Sequence, residues 1–295
     1  MKIKEISGSG SGPRLLITGG VHGDEFEPMV AIRRLIDQLP SLNFSGTVVC
    51  VPVVNESAFL RGHRTAEDGK DLARTCPGDP NGTMTEQTAH ELSQLIQSAD
   101  FYIDLHTGGT ELSVYPLTGY NLHPNAEVLS WHRRMAHAFG LPVIWGTAPT
   151  LNGRSLSVAR DANVPAIYAE YEGSATCNPL GIDAYFEGCL NVMAELGMLE
   201  REIPEFNPDY LIEDPRPNSG HMQVCNPSPI EGYFDPAVQL GQKISAGEPL
   251  GTVSDYLGEN SIEMVSEQTG IVLVLRTFPR VHKGETVAVI LETTK

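Results

Sequence analysis

Apolar residues change their rhythm along this chain, and each change marks an element. Residues 14–18 (RLLIT) form a short apolar run closed by Gly19 and Gly20, the pattern of a buried strand. Between 25 and 38, Met29, Ile32, Leu35 and Ile36 recur at helical spacing and mark one face. Residues 47–54 (TVVCVPVV) predict a second strand. Thr83 and Glu86 stand at the spacing of a capping box, and Leu92, Leu95 and Ile96 carry a helix over 83–97. FYIDL (101–105) and PAIYAEY (165–171) predict strands, while 125–139 and 182–198 predict helices. Strands alternating with helices imply an α/β fold with a mostly parallel sheet covered on both faces.

The rhythm breaks near residue 203. Seven prolines fall between Ile203 and Pro236, the composition of a linker. Beyond them the chain reads as short strands and glycine turns. Two stretches of this tail match each other: GYFDPAVQLGQKISAGEPLGTV from Gly232 and GIVLVLRTFPRVHKGETVAVI from Gly270. Each runs through Gly, an apolar strand, Pro, Val or Ile, Gly-Glu and a closing apolar strand. Such duplication predicts a small all-β, barrel-sandwich-like module similar to lipoyl or biotinyl domains. It lacks the lysine between apolar residues at a hairpin tip that would carry a swinging cofactor, so a structural or lid role is expected. The division expected is a catalytic domain over 1–203 and a proline-rich linker with a β module over 204–295.

Composition narrows the function. The chain has 295 residues, 41% of them hydrophobic, enough for one large domain and a small one. No apolar run approaches the roughly 20 residues of a membrane span. The N-terminus has no apolar stretch long enough for a signal peptide, so a soluble, cytoplasmic protein is expected. A net charge of −17 repels phosphate backbones and anionic lipids, which argues against nucleic-acid and membrane partners. Local arginines can still override that field for a small anion. The five cysteines are odd in number, widely spaced and without a CxxC pair, and they read as reduced thiols.

Four motifs carry chemistry. In GGVHGDE (19–25), His22 and Glu25 have H-x-x-E spacing directly after a strand, and the glycines allow a sharp turn. A catalytic zinc takes three His or carboxylate ligands and leaves one position for water. In DLHTGG (104–109), His106 follows a strand just as His22 does, and functional groups gather at the carboxyl ends of strands in open α/β sheets. Asp104 could orient a ligand histidine. In PAIYAEYEG (165–173), strand alternation sets Ala166, Tyr168 and Glu170 on one side. Glu170 is preferred over Glu172 as a proton carrier beside a metal-bound water. Finally, RGHR (61–64) and DLAR (71–74) bring Arg61, His63, Arg64, Asp71 and Arg74 close together in an acidic chain. One arginine could stabilise an oxyanion and another hold a substrate carboxylate, and Arg74, Arg61 and Asp71 are the substrate-binding candidates. The plainer alternative is surface arginines paired with Glu67, Asp68 and Asp71.

These motifs occur in a familiar order. The chain resembles the succinylglutamate desuccinylase and aspartoacylase family, a branch of the zinc carboxypeptidase fold. The resemblance rests on GGVHGDE, NESAF (55–59), Arg64, DGKDLAR (68–74) with Pro77 and Gly78, DLHTGG, PAIYAE (165–170) and the β tail. It implies a mixed, mostly parallel sheet flanked by helices. It also implies His22, Glu25 and His106 as ligands of one Zn2+ per chain, and Glu170 as general acid/base. By the same resemblance Arg64 polarises the scissile carbonyl and stabilises the oxyanion, while Arg74 binds the substrate carboxylate. Arg61 matches nothing in the pattern. Two departures stand out: Ala73 replaces an asparagine that helps clamp the carboxylate, and Cys76 stands where an aromatic residue is usual. Losing such an amide contact costs about 1–3 kcal/mol if a charged partner is left unmatched.

The expected activity is zinc-dependent removal of the acyl group from an N-acyl amino acid or related small amide. With an open cleft, the same machinery would be a metallocarboxypeptidase acting on short peptides. A non-catalytic ligand-binding protein is the third reading, towards which Ala73 alone points. A homo-oligomer is compatible with each.

Overall fold

Alternating strands and helices assemble into one large sheet. The computed structural model describes residues 1–222 and 225–293. Up to residue 214 the strands are β1 (Lys4–Ser7), β2 (Gly10–Thr18), β3 (Ser45–Val51), β4 (Phe101–His106), β5 (Leu112–Asn121), β6 (Val143–Thr147), β7 (Ala166–Gly173) and β8 (Tyr210–Asp214). The helices are α1 (Phe26–Gln38), α2 (Glu56–Arg61), α3 (Met84–Gln97), α4 (Ala126–Phe139), α5 (Ser155–Asp161) and α6 (Pro179–Glu195). The sheet runs β1-β3-β2-β4-β7-β5, with β3, β2, β4 and β7 parallel and β1 and β5 antiparallel to their neighbours. It is the mixed, mostly parallel sheet that the motif order implied.

Strand alternation sorts the core. Leu15 and Ile17 of β2 join α1, α4 and α6 on one face through Ile32, Leu35, Phe139 and Tyr185. Leu16 faces the other way, against Leu92 and Ile96 of α3 and Leu156 of α5. A central parallel strand covered on both faces reads as an unbroken apolar run, which is why RLLIT was legible. At the start of α3 the Thr83 N–H donates to Glu86 Oε2 at 2.7 Å, one half of the capping box. Helix α6 starts earlier than its apolar spacing suggested. Pro179 occupies the first turn, and the Asn178 side chain accepts from the Leu180 N–H at 3.0 Å.

Strand β5 was not legible, because Pro116 falls inside it, where the pairing with β7 slips between Val114 and Leu117. That slip divides its outer edge. Residues 117–121 pair with β6, which pairs in turn with β8 from within the proline-rich stretch. Residues 112–114 pair instead with β13 (Gly270–Arg276) of the tail. Two different segments are thereby stitched to one strand.

The remaining tail strands are β9 (Gly232–Pro236), β10 (Lys243–Ile244), β11 (Pro249–Ser254), β12 (Ser261–Val265), β14 (Arg280–Val281) and β15 (Ala288–Glu292). Strand β9 pairs with β11, and β13 pairs with β15. The short strand of each half crosses over: β10 pairs with β13, and β14 with β9. The two matching sequences are thus interlocked halves around a core of Phe234, Ile244, Leu250, Val253, Val272 and Val281. A second, four-stranded antiparallel sheet, β12-β11-β9-β14, completes the tail. The glycine opening each half has the same reason: a Cβ on Gly232 would lie 1.9 Å from the Ser254 carbonyl oxygen, and one on Gly270 would lie 1.9 Å from that of Leu291. No helix among the described residues is long and apolar enough to cross a membrane.

Gly270→Ala should therefore destabilise the protein by at least the roughly 1–3 kcal/mol of an overpacked core. A denaturant midpoint equal to that of the wild type would show that the halves do not depend on this close approach.

Candidate metal centre and catalytic cleft

The turn after β2 is shaped by glycine. Gly20 has φ +63°, and a Cβ there would lie 2.9 Å from Val53 Cα. A Cβ on Gly23 would lie 2.0 Å from the carbonyl carbon of Ala58 in α2. Pressed against these backbones, the turn brings His22 and Glu25 over the end of the sheet. His106 ends β4, and Glu170 stands directly opposite it on β7. Adjacent strands thereby deliver all four groups to the same end.

His22, Glu25 and His106 offer ligand atoms that all lie within 4.8 Å of one another. Both rings turn Nδ1 towards the Glu25 carboxylate: His22 stands 2.6 Å from Oε1, and His106 stands 2.9 Å from Oε2. Their outer nitrogens are held as well. His22 Nε2 is 3.1 Å from Asp71 Oδ1, and His106 Nε2 is 3.1 Å from Asp104 Oδ2. Asp104 is itself fixed by Thr18 Oγ1, which donates to Oδ1 at 2.7 Å, and by the Ser155 hydroxyl, which donates to Oδ2. Carboxylates behind ligand imidazoles fix ring orientation and raise basicity.

Electrostatics point the same way. Burial alone would raise the Glu25 carboxyl, but the two imidazoles outweigh it and hold it far below the usual range. Burial disfavours charge on His106, yet Asp104 and Glu25 hold its ring protonated well above the usual range. The buried carboxylates therefore demand a positive charge between them. A divalent cation meets that demand with both rings neutral, so the donor set fits a metal ion.

Glu170 is 8% exposed, and its Oε2 is buried with no hydrogen-bond partner among the described residues. Burial pushes its carboxyl up to about 8; His106 opposes the rise and Glu25 adds to it. A buried carboxyl with a raised affinity for protons beside a metal centre is suited to carrying a proton.

The arginines separate. Arg64 lines the cleft, and its Nη2 and Nε donate to Asp71 Oδ2 at 2.9 and 3.2 Å. Both Asp71 oxygens are thus engaged, one by His22 and one by Arg64, and Oδ1 also accepts from the Ala73 N–H at 2.9 Å. Asp71, a substrate-binding candidate from the sequence, thus holds His22 and Arg64. Arg61 is exposed and is not among the cleft-lining residues; its guanidinium donates to the backbone carbonyls of Thr65 and Ala66. Arg74 lines the cleft, and so does Ala73. Arg154, which the sequence reading passed over, joins them at the start of α5. Its Nε is buried without a hydrogen-bond partner among the described residues. Burial, with Arg154 second, pushes Arg74 down to about 10. The one sequence signal for Arg154 was a basic residue after Asn152-Gly153, ahead of a helix too short to show periodicity.

The cleft is small, about 90 Å3. Leu112, Val114, Asn121, Thr147, Tyr168, Gly220, Met222 and Val274 also line it, so residues beyond 203 form part of its wall.

Residues 11–196 match the family described as succinylglutamate desuccinylase/aspartoacylase catalytic domain. The chain is 31% identical to the N-alpha-acetyl-L-2,4-diaminobutyric acid deacetylase of Halomonas elongata, over 96% of this chain and 83% of that protein. A solved succinylglutamate desuccinylase/aspartoacylase from Rhodobacter sphaeroides superposes with a TM-score of 0.87 at 28% identity, covering 99% of this chain and 89% of that one. The product-bound ectoine utilization protein EutE (DoeB) from Ruegeria pomeroyi does so at 0.87 and 25% identity, covering 98% and 87%.

Two measurements probe the centre. Replacing His22 or His106 with alanine should abolish stoichiometric metal binding, read by elemental analysis after dialysis; full retention would remove the residue from the ligand set. Glu170, raised from its unfolded value near 4.5 to about 8, binds its proton more tightly when folded. Its contribution to stability is therefore fully present below pH 4.5 and is lost as pH rises through 8. Metal-free Glu170→Gln should gain thermal stability over metal-free wild type as pH rises across that window, and a pH-independent difference would contradict the raised value.

Proposed function

The chain belongs to the succinylglutamate desuccinylase/aspartoacylase family, and on that premise we propose that it is a zinc-dependent deacylase of N-acyl amino acids, with acetyl the acyl group best suited to its cleft. The observation that carries this reading is the convergence of His22, Glu25 and His106 beside Glu170, whose buried Oε2 has no protein partner among the described residues. The acetyl preference is supported by the small volume and the apolar Leu112, Val114 and Val274, and by the activity that the Halomonas relative's name states.

Zinc held by His22, Glu25 and His106 would supply Lewis acidity towards the acyl carbonyl and acidify water. Glu170 takes the proton of the attacking water. As the carbonyl becomes tetrahedral, the Arg64 guanidinium, held in place by Asp71, faces the negative charge that develops on its oxygen. Glu170 then returns the proton to the leaving nitrogen, so that carboxylate and amine leave with the proton count balanced. Arg74 and Arg154 hold the substrate carboxylate. A second arginine offsets the missing amide at Ala73, because a planar guanidinium can grip a carboxylate with two parallel hydrogen bonds. Gly220, Met222 and Val274 add a wall from beyond residue 203 to the small cleft, which disfavours the peptidase reading.

Glu170→Gln should lower kcat by about 10²–10⁴-fold on N-acetyl amino acids while keeping its metal. Wild-type-like turnover would remove Glu170 from the mechanism. Arg154→Ala should raise KM by about 10–100-fold with a smaller effect on kcat; an unchanged KM would leave the carboxylate to Arg74 alone. Release of acetate from a panel of N-acetyl and N-succinyl amino acids and dipeptides, with and without chelator, tests the activity as a whole.

A further inference from the structure

Strand alternation sets Tyr168 on the same face of β7 as Glu170, two residues before it. Directly across on β5 stands Gly119. A Cβ at 119 would lie 2.1 Å from Tyr168 Cζ and 2.4 Å from its hydroxyl oxygen. The ring therefore lies across the β5 backbone, in space that only glycine leaves. It packs against both neighbouring apolar clusters, the one containing Leu156 and the one containing Met222. Its exposed part lines the cleft together with Glu170, Arg154, Asn121 and Thr147. The hydroxyl makes no hydrogen bond to another described residue. Burial, with Glu170 second, pushes its ionisation up, so it remains a donor at neutral pH.

We propose that Tyr168 determines which leaving amino acids the cleft accepts. Its ring floors the space taken by the amino-acid side chain, and its hydroxyl joins Arg154 in hydrogen bonding the amino-acid carboxylate. The inference rests on the deacylase reading, which sets the leaving nitrogen beside Glu170. It assigns the protein to substrates with short side chains, since the ring fills the depth a longer one would need. Gly119 acts through the ring and is a positioning residue.

The test uses zinc-loaded wild type, Tyr168→Phe, Tyr168→Ala, Gly119→Ala and the Gly119→Ala/Tyr168→Ala double variant. The substrates are N-acetyl amino acids graded from alanine and aspartate through 2,4-diaminobutyrate to methionine and phenylalanine. Tyr168→Phe should raise KM about tenfold and leave kcat within about threefold. Tyr168→Ala should shift the ratio of kcat/KM for long over short side chains upward by about tenfold or more. Gly119→Ala should raise KM by itself and add nothing in the Tyr168→Ala background. An unchanged ratio in Tyr168→Ala, or additive effects in the double variant, overturns the proposal. If wild type turns over none of the panel, the deacylase reading fails separately. Calorimetric binding of the free amino acids then decides on Tyr168: about tenfold weaker binding to Tyr168→Phe supports it, and equal Kd values overturn it.

Discussion

A carboxylate sealed between two imidazoles governs this molecule. Glu25 is 1% exposed and holds His22 with one oxygen and His106 with the other. A buried charge of this kind is costly unless positive charge is delivered to it with good geometry. The fold is arranged to deliver it: a glycine-shaped turn fixes one ring, the end of β4 fixes the other, and Asp71 and Asp104 hold each ring from behind. These outer carboxylates reach into the rest of the site. Asp71 also sets Arg64, and Asp104 is tied to β2 through Thr18 and to α5 through Ser155. The three candidate metal ligands, Arg64 and the helix that starts beside Arg154 are thus one hydrogen-bonded unit.

Global and local charge oppose each other here. The chain carries −17 overall, yet its cleft gathers Arg64, Arg74 and Arg154. Arg74 and Arg154 are half-buried; burial lowers the affinity of both for protons, and Arg154 lowers that of Arg74 further. Two half-buried cations lining one cleft suit a small anion. In an acidic protein, the field of such a pair is local: it favours a small anion in the cleft while the net charge repels polyanions from the surface.

The tail shows how a small duplicated unit becomes part of a catalytic wall. Its halves exchange short strands, so neither can bury its apolar face alone. One long strand, β13, then docks on the free half-edge of β5 that the slip at Pro116 leaves open. Val274 of that strand lines the cleft. An irregularity in one strand of the main sheet thus determines where the second module attaches and how narrow the site becomes.

Local pattern made the long helices, the buried parallel strands and the duplicated tail legible, because apolar period and capping residues act over a few neighbouring positions. The same locality exposed His22, Glu25, His106 and Glu170, each beside a strand end. Strand β5 and helix α5 escaped, the first interrupted by proline and the second shorter than two helical turns. Tertiary structure alone decided the arginines. RGHR and DLAR looked equivalent in sequence, but Arg64 turned to Asp71, Arg61 turned to its own loop, and Arg154 arrived from 80 residues beyond Arg74. Which side chains share a cleft depends on strand order and on close backbone approaches such as Gly119 under Tyr168, and those are properties of residues far apart in the chain.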